Sequence, residues 1–348
     1  MKNKFLLLTI VFALIVGLVG CGNNQAKEKP VEVVEEKIED VIEEIVEEPE
    51  DDSKKIAVNY AVMTGPTGVG SVNLIENSKN GNSKFEIHET IVGAADEIVA
   101  SLVSGNLDMA VVPANLASVL YNKTEGKIQA LATNNLGVLY IVEIGDEIQT
   151  LEDLKGKTIL STGKGATPET LLNYIMAENN LVQGEDWNFD FKSEATEVVQ
   201  NLMARNATIA LLPEPMVTTV LGQNENARIA ISLEDEWNKL NKTPQITSVL
   251  VGRKEFIENI DVDEFLDEYE DSIEDAVENI EKTSELLGKY NIIKTEVALK
   301  SIPNMNLYYM DEEELRDSMS EYLTILFNAN PQSVGGKIPG EDFFYLGK

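Results

Sequence analysis

The chain has one cysteine, Cys21, and one histidine, His88, in 348 residues. A disulfide within the chain is therefore excluded, and so is a zinc site built from Cys and His, which needs several such ligands. A Ser-His-Asp or Cys-His pair would have to use one of these two residues. Basic residues are also scarce: 28 Lys and Arg stand against 60 Asp and Glu, a formal charge of −32. So acidic a chain repels phosphate backbones, which argues against nucleic acid as a partner. Long apolar runs are lacking too. The one present, Phe5–Leu18, is shorter than the roughly 20 residues a spanning helix needs. The glycine-rich stretch at 64–70 lacks the Gly-Lys-Ser/Thr ending of a Walker phosphate loop, and no cofactor motif stands out. Hydrophobic content of 43% is ordinary, and the length suffices for two domains.

What is present is a duplication. Residues 95–113 read ADEIVASLVSGNLDMAVVP, and residues 195–213, one hundred positions on, read ATEVVQNLMARNATIALLP. Ala95, Glu97, Val99, Leu102, Asn106, Ala110 and Pro113 recur at 195, 197, 199, 202, 206, 210 and 213 without a gap. Each copy has apolar residues at helical spacing, a polar turn, and a short apolar run closed by proline. This predicts an amphipathic helix feeding a buried strand. The preceding segments, 55–77 and 157–179, also correspond: a strand, a Thr-Gly loop, and a helix ending in Glu-Asn. Strand–helix alternation of this kind predicts parallel strands flanked by helices. The two units form either two α/β lobes with a ligand between them, at the carboxyl ends of their strands, or neighbours in one long sheet.

The amino terminus has a positive start at Lys2 and Lys4, an apolar centre, and Leu18-Val19-Gly20-Cys21. That is the shape of a secretory signal. The cysteine directly after small residues makes 1–21 resemble a bacterial lipoprotein signal, which implies lipidation of Cys21, a palmitate-type membrane anchor. Residues 31–52 hold twelve acids and one lysine. Although Val34, Ile38, Val41 and Ile45 are spaced like a helix face, the charge points to a self-repelling tether over 22–53.

In the body, the first strand spans Ile56 to Met63 and is followed by Thr64, Gly65, Thr67 and Gly68, before a helix around Val72 to Asn77. Glycine lets a ligand approach the backbone, and free N–H groups at a helix start suit polar or anionic ligands. Gly93, Ala94 and Asp96 open the first repeated helix. Alternation over Phe85–Val92 puts Glu86, His88 and Thr90 on an outer face, so His88 reads as a surface residue. Asn115 either bonds a ligand or caps a helix over 116–121. Gly137–Val142, with Tyr140, reads as the first crossing between lobes. The second lobe repeats the glycine loop as Thr162, Gly163, Lys164 and Gly165. There Thr167 reads as an N-cap, with Pro168 and Glu169 in the first helical turn. Lys164 either touches a ligand or faces water; Glu214 either accepts a bond from a ligand or braces its loop. Ile246–Val251 reads as the return strand. Helices are expected over 255–260, 262–290 and 312–328, with Phe343, Phe344 and Tyr345 packing the tail back.

These features together resemble the solute-binding proteins of ABC importers, in the branch that binds nitrate, sulfonate, taurine and thiamine precursors. The residues carrying the resemblance are the lipoprotein leader, GAADEIVASLVSGNLDMAVVPANLA, LEDLKGKTI with its Gly loop and Thr-Pro, Glu214-Pro215, and NANPQSVGGKIP, and it covers about 54–346. It implies an α/β, two-lobed periplasmic-binding-protein (Venus flytrap) fold, each lobe a mixed sheet flanked by helices, with two hinge crossings. Lobe I would comprise 54–138 plus 247–348, and lobe II 139–246. It implies a monomeric, extracytoplasmic, lipid-anchored receptor that delivers a small solute to a permease and its ATPase. The cleft would be lined by loops at 64–68, 93–96, 113–115, 161–167 and 213–216. No Arg or Lys cluster for a strong oxyanion accompanies them, only Lys164. A neutral or heteroaromatic solute held by backbone N–H groups, Thr hydroxyls and Tyr60, Tyr140 or Trp187 fits as well. Two alternatives stand beside this reading. One is a two-lobed enzyme acting on a pyrimidine- or menaquinone-precursor-like metabolite, with Asp96 or Glu214 as general base. The other is a lipoprotein that senses its ligand.

Overall fold

A computed structural model describes residues 55–347. The leader, Cys21 and the acidic tether lie outside the described residues. The first half runs β1 (Ile56–Met63), α1 (Val72–Lys79), β2 (Phe85–Val92), α2 (Ala95–Ser104), β3 (Met109–Pro113), α3 (Ala114–Lys123) and β4 (Ile128–Asn135). A second set follows as β5 (Leu139–Ile144), β6 (Thr158–Ser161), α4 (Thr167–Glu178), β7 (Asn188–Phe191), α5 (Ala195–Met203), β8 (Ile209–Pro213), α6 (Met216–Gln223), β9 (Ala227–Ser232) and α7 (Leu233–Leu240). The chain ends with β10 (Ser248–Arg253), α8 (Lys254–Ile257), α9 (Val262–Glu278), α10 (Ile280–Lys289), α11 (Thr295–Ser301) and α12 (Glu312–Ala329).

The strands form two five-stranded sheets, in the orders β2-β1-β3-β10-β4 and β7-β6-β8-β5-β9. The long single sheet is thereby ruled out. Within each sheet the three strands of the duplicated unit are parallel. Next to them lies a strand that arrives from the other half and runs antiparallel: β10 against β3 and β4, β5 against β8 and β9. Both sheets are therefore mixed. The repeats fold alike: α2 leads into β3 and α5 into β8, and Pro113 and Pro213 each close a strand otherwise buried along its length.

Apolar alternation explains the burial. On β2, Phe85 and Ile87 are buried while Glu86, His88 and Thr90 are exposed, so His88 is a surface residue. One continuous apolar cluster reaches from Val112 and Val249 in the first sheet to Ile141, Trp187 and Trp237 in the second half. Helix α12 joins this cluster through Leu323 and Tyr322, whose ring meets Trp237 edge-on at 5.6 Å. Each such fully buried side chain contributes about 1.5–3 kcal/mol. Phe343, Phe344 and Tyr345 do pack the tail back, and all three are buried.

Some elements differ from expectation. The helix expected over 262–290 is two helices. It breaks at Asn279, whose backbone (φ −118°, ψ 57°) leaves the helical region while its amide bonds the Asp275 carboxylate at 2.7 Å. A short polar side chain that bonds locally offers the backbone such an alternative. The helix after Pro113 begins at Ala114, and Asn115 sits inside its first turn instead of capping it. Helix α4 is capped by Ala166, so Thr167 is the first helical residue. Elements β9, α7 and α11 lie outside the expected ones; α7 is nonetheless amphipathic, with Leu233 and Trp237 buried.

Candidate solute-binding cleft

The carboxyl ends of β1, β3, β6 and β8 converge. Two cavities open there, of about 900 Å³ and 460 Å³, and they share Thr64, Pro66 and Pro213. They form one cleft with walls from both sheets: Met63 and Pro113 on one side, Ser161 and Leu211 on the other. The larger part is bounded by α5, α6 and residues 292–297, including Lys294 and Glu296. The smaller part is lined by the starts of α3 and α4, and no charged side chain is among its lining residues. A further groove of about 500 Å³ lies beside Arg253, where β10 ends, away from these strand ends.

Of the residues singled out from the sequence, Thr64, Thr67, Asn115, Thr162 and Thr167 line the smaller cavity. Gly65 and Glu214 line the larger one. Gly65 adopts a φ of 90°, suited to glycine, but its N–H is directed to the Ile292 carbonyl at 3.3 Å. Gly68 faces protein: a Cβ there would lie 2.7 Å from the Met63 carbonyl and 2.8 Å from Ile292. Asn115 donates to the Ser333 carbonyl at 3.0 Å, so its side chain ties α3 to the turn at 331–334. Gly163 and Gly165 take φ of 77° and 78° in the turn before α4, and the Gly165 N–H donates to the Glu169 carboxylate. Lys164 is exposed at the tip of that turn and lines neither cavity. Gly93 and Ala94 are exposed and lie outside both cavities, as do Ala95 and Asp96, whereas the counterparts of the latter two, Ala195 and Thr196, line the larger one.

The aromatic candidates belong to the frame. Tyr60 is fully buried beneath the first sheet and bonds Ser71 at 2.7 Å; Trp187 is buried in the core. Neither reaches the cleft. Tyr140 is mostly buried and donates to the Asn304 carbonyl at 2.9 Å. Burial, with the Glu214 carboxylate nearby, pushes its hydroxyl up to about 12. Glu214 is fully buried. Its carboxylate accepts from the Thr218 N–H and hydroxyl, both at 3.0 Å, and from Asn304 at 3.3 Å. Burial raises its pKa, and the Thr218 bonds oppose the shift. The carboxylate thus braces the start of α6 and fastens it to the 302–306 segment.

That segment spans the crossing between the sheets. The Leu136 N–H donates to the Asn306 carbonyl at 2.8 Å, while the Asn306 amide bonds the Gly137 carbonyl and the Glu234 carboxylate. The return crossing runs through 241–247. It is pinned by Trp237 Nε1 on the Thr243 carbonyl at 2.7 Å and by the Thr247 N–H on Asn135 at 3.1 Å. Within it, Gln245 is fully buried and lines the smaller cavity, yet sequence reasoning passed it over. The available signal was two polar residues, Thr243 and Gln245, flanking a proline shortly before the buried strand that begins at Ser248. Among the described residues no group of three or more His, Cys, Asp or Glu could hold a metal ion, and no helix is long and apolar enough to cross a membrane.

Two mixed sheets with a cleft across their strand ends, joined by crossings, define a two-lobed solute-binding fold. The sequence model of the family described as "ABC transporter, phosphonate, periplasmic substrate-binding protein" matches residues 81–297, more than half of the chain. The chain belongs to that family and is the substrate-binding component of an ABC transporter. Among solved structures it is similar to an ABC transporter from Parabacteroides distasonis, with 24% identity and a TM-score of 0.71 over 84% of this chain and 98% of that one. It is similar also to the periplasmic aliphatic sulphonate-binding protein SsuA from Escherichia coli (15% identity, TM-score 0.66, 85% of this chain and 94% of that one). The periplasmic nitrate-binding protein NrtA from Synechocystis PCC 6803 is a third (13%, 0.56, 81% and 84%). No curated protein matches the chain at a significant level.

Proposed function

We propose that this chain is a lipid-anchored monomer outside the cytoplasmic membrane, which captures one small solute between two lobes and passes it to its permease. The observation that carries the reading is the shared cleft at the carboxyl ends of β1, β3, β6 and β8. The lobes are 54–138 plus 247–348 and 139–246, in keeping with the membership of the two sheets. Thr64, Thr162 and Thr167, with N–H groups at the starts of α3 and α4, contact the solute. The lobes close by a hinge motion, and the solute selects the closed state. Cys21 carries the lipid, and 22–53 holds the body off an anionic surface.

The chain acts as a receptor and not as an enzyme. Of the two carboxylates considered as a general base, Asp96 is exposed outside both cavities and Glu214 is engaged by Thr218 and Asn304. Small-angle scattering with a bound solute should show compaction; an unchanged radius of gyration under saturation would defeat the closure. Cys21→Ser should abolish lipid labelling and release the protein from membranes. Continued labelling would defeat the anchor.

A further inference from the structure

Gln245 is 0% exposed, and neither its side-chain nitrogen nor its oxygen has a hydrogen-bond partner among the described residues. A buried amide left without partners is costly, about 1–3 kcal/mol for each group, and native interiors keep few of them. Gln245 lies on the lining of the 460 Å³ cavity, together with the starts of α3 and α4. Both amide atoms are covered in this structure, and the side chain's broad terminal torsion is the freedom by which donor and acceptor would meet a solute. Neither helix start has a side-chain cap, although the Ala114 N–H is taken by the Thr247 carbonyl at 3.0 Å and Pro168 has no N–H to offer.

The chemistry of the walls limits what can satisfy this amide. No charged side chain is among the lining residues; the apolar ones include Leu116, Leu139 and Leu211. A sulfonate or a fully ionised phosphonate could use the amide nitrogen but offers no donor to the oxygen; a phosphonate monoanion adds one P–OH donor but still carries its charge. Burying such an anion in this part of the cleft, where no cation is among the lining residues, is expensive; Lys294 lines the larger part. An amide presents the matching pair: its carbonyl accepts from Gln245 Nε2 while its N–H donates to Oε1. A flat ring carrying that edge would also use the apolar walls.

We infer that Gln245 reads the solute, and that the solute is an uncharged, flat compound with an amide edge: a lactam, an imide or an aromatic carboxamide. This rests on the receptor reading above and names the ligand class for the same cleft. It departs from the anion in the family's description.

The test uses the full body with six probes in isothermal titration: uracil, 2-pyridone and nicotinamide for the amide edge, and methylphosphonate, inorganic phosphate and methanesulfonate for the anions. At least one amide probe should bind, and Gln245→Met should weaken it tenfold or more. The same variant without ligand should keep or raise its Tm, because an orphaned polar group is replaced by an apolar one of similar length. A Tm that falls sharply would mean that the amide serves the fold, and would overturn the inference. So would an amide probe that binds Gln245→Met as well as wild type, or an anion that binds when no amide does. The latter would leave the receptor reading intact. Binding of none of the six overturns the inference. The receptor reading then stands or falls separately, by whether a small-molecule cell extract compacts the protein in scattering.

Discussion

The two halves are copies in backbone and differ in what they do with their ends. Both pair a buried carboxylate with a partly exposed arginine at the end remote from the cleft. In the first sheet Asp108 accepts from Arg253 at 2.7 Å and from the Asn59 side chain at 2.8 Å. In the second, Glu143 accepts from Arg228 at 2.7 Å and from the Glu147 N–H at 2.9 Å. The pairs are built from different strands and from non-equivalent residues, yet each fastens the incoming antiparallel strand to its sheet. At the cleft end the halves diverge. The start of α5 lines the cavity, whereas the start of α2 stands clear of it. The two halves thus reach the same fastening with different residues at one end, and diverge in what lines the cleft at the other.

The largest effect tests the shared frame. Arg228→Ala and Arg253→Ala each leave a mostly buried carboxylate without its cation. Each should lower the unfolding free energy in a urea titration by about 3 kcal/mol. A loss under ~1 kcal/mol in one half only would break the parallel.

The glycines give the next contrast. Gly68→Ala puts a Cβ against the Met63 carbonyl and Ile292 and should cost about 1–3 kcal/mol. Gly93→Ala meets nothing within 4 Å and should be near neutral. The corresponding Tm values would rank the two loops in the opposite sense if Gly93 were the packed one.

The crossing can be sharpened by pH. Burial raises Glu234 from 4.5 to about 7. A carboxyl raised on folding favours the folded state most when protonated, below its unfolded pKa, and that contribution is lost as pH rises toward 7. Part of the melting temperature's decline between about pH 4.5 and 7 should therefore vanish in Glu234→Gln, whose amide oxygen still accepts from Asn306. An unaltered pH profile in that variant would contradict the assignment.

The smallest effect concerns the repeat itself. Gly105 ends α2 at φ 80°, and Arg205, one residue beyond the cap of α5, adopts φ 58°. Arg205→Gly should stabilise by about 1 kcal/mol and Gly105→Ala should destabilise by a similar amount.

Sequence reading captured the frame because its signals are local. Apolar alternation located β2, short apolar runs closed by proline located β3 and β8, and the hundred-residue repeat paired the halves. Mixed sheets could not follow from strand–helix alternation, because β5 and β10 pair with strands of the half they enter. The site was less legible. Tyr60 and Trp187 read as ligand aromatics by type alone, while the fold uses them as core. Asn115 and Glu214 bond to Ser333 and Asn304, partners about a hundred or more residues distant. Gln245 gave little signal because only the tertiary fold turns its segment into a cavity wall.

The central claim is that a solute draws the two sheets together across the cleft. With Cys21 removed as Cys21→Ser, spin labels placed at Gly93→Cys and Lys164→Cys report the distance between the exposed loops of the two halves. Adding a solute shown by calorimetry to bind should shorten and narrow the measured distance distribution. A distribution that stays the same at saturation would contradict the account.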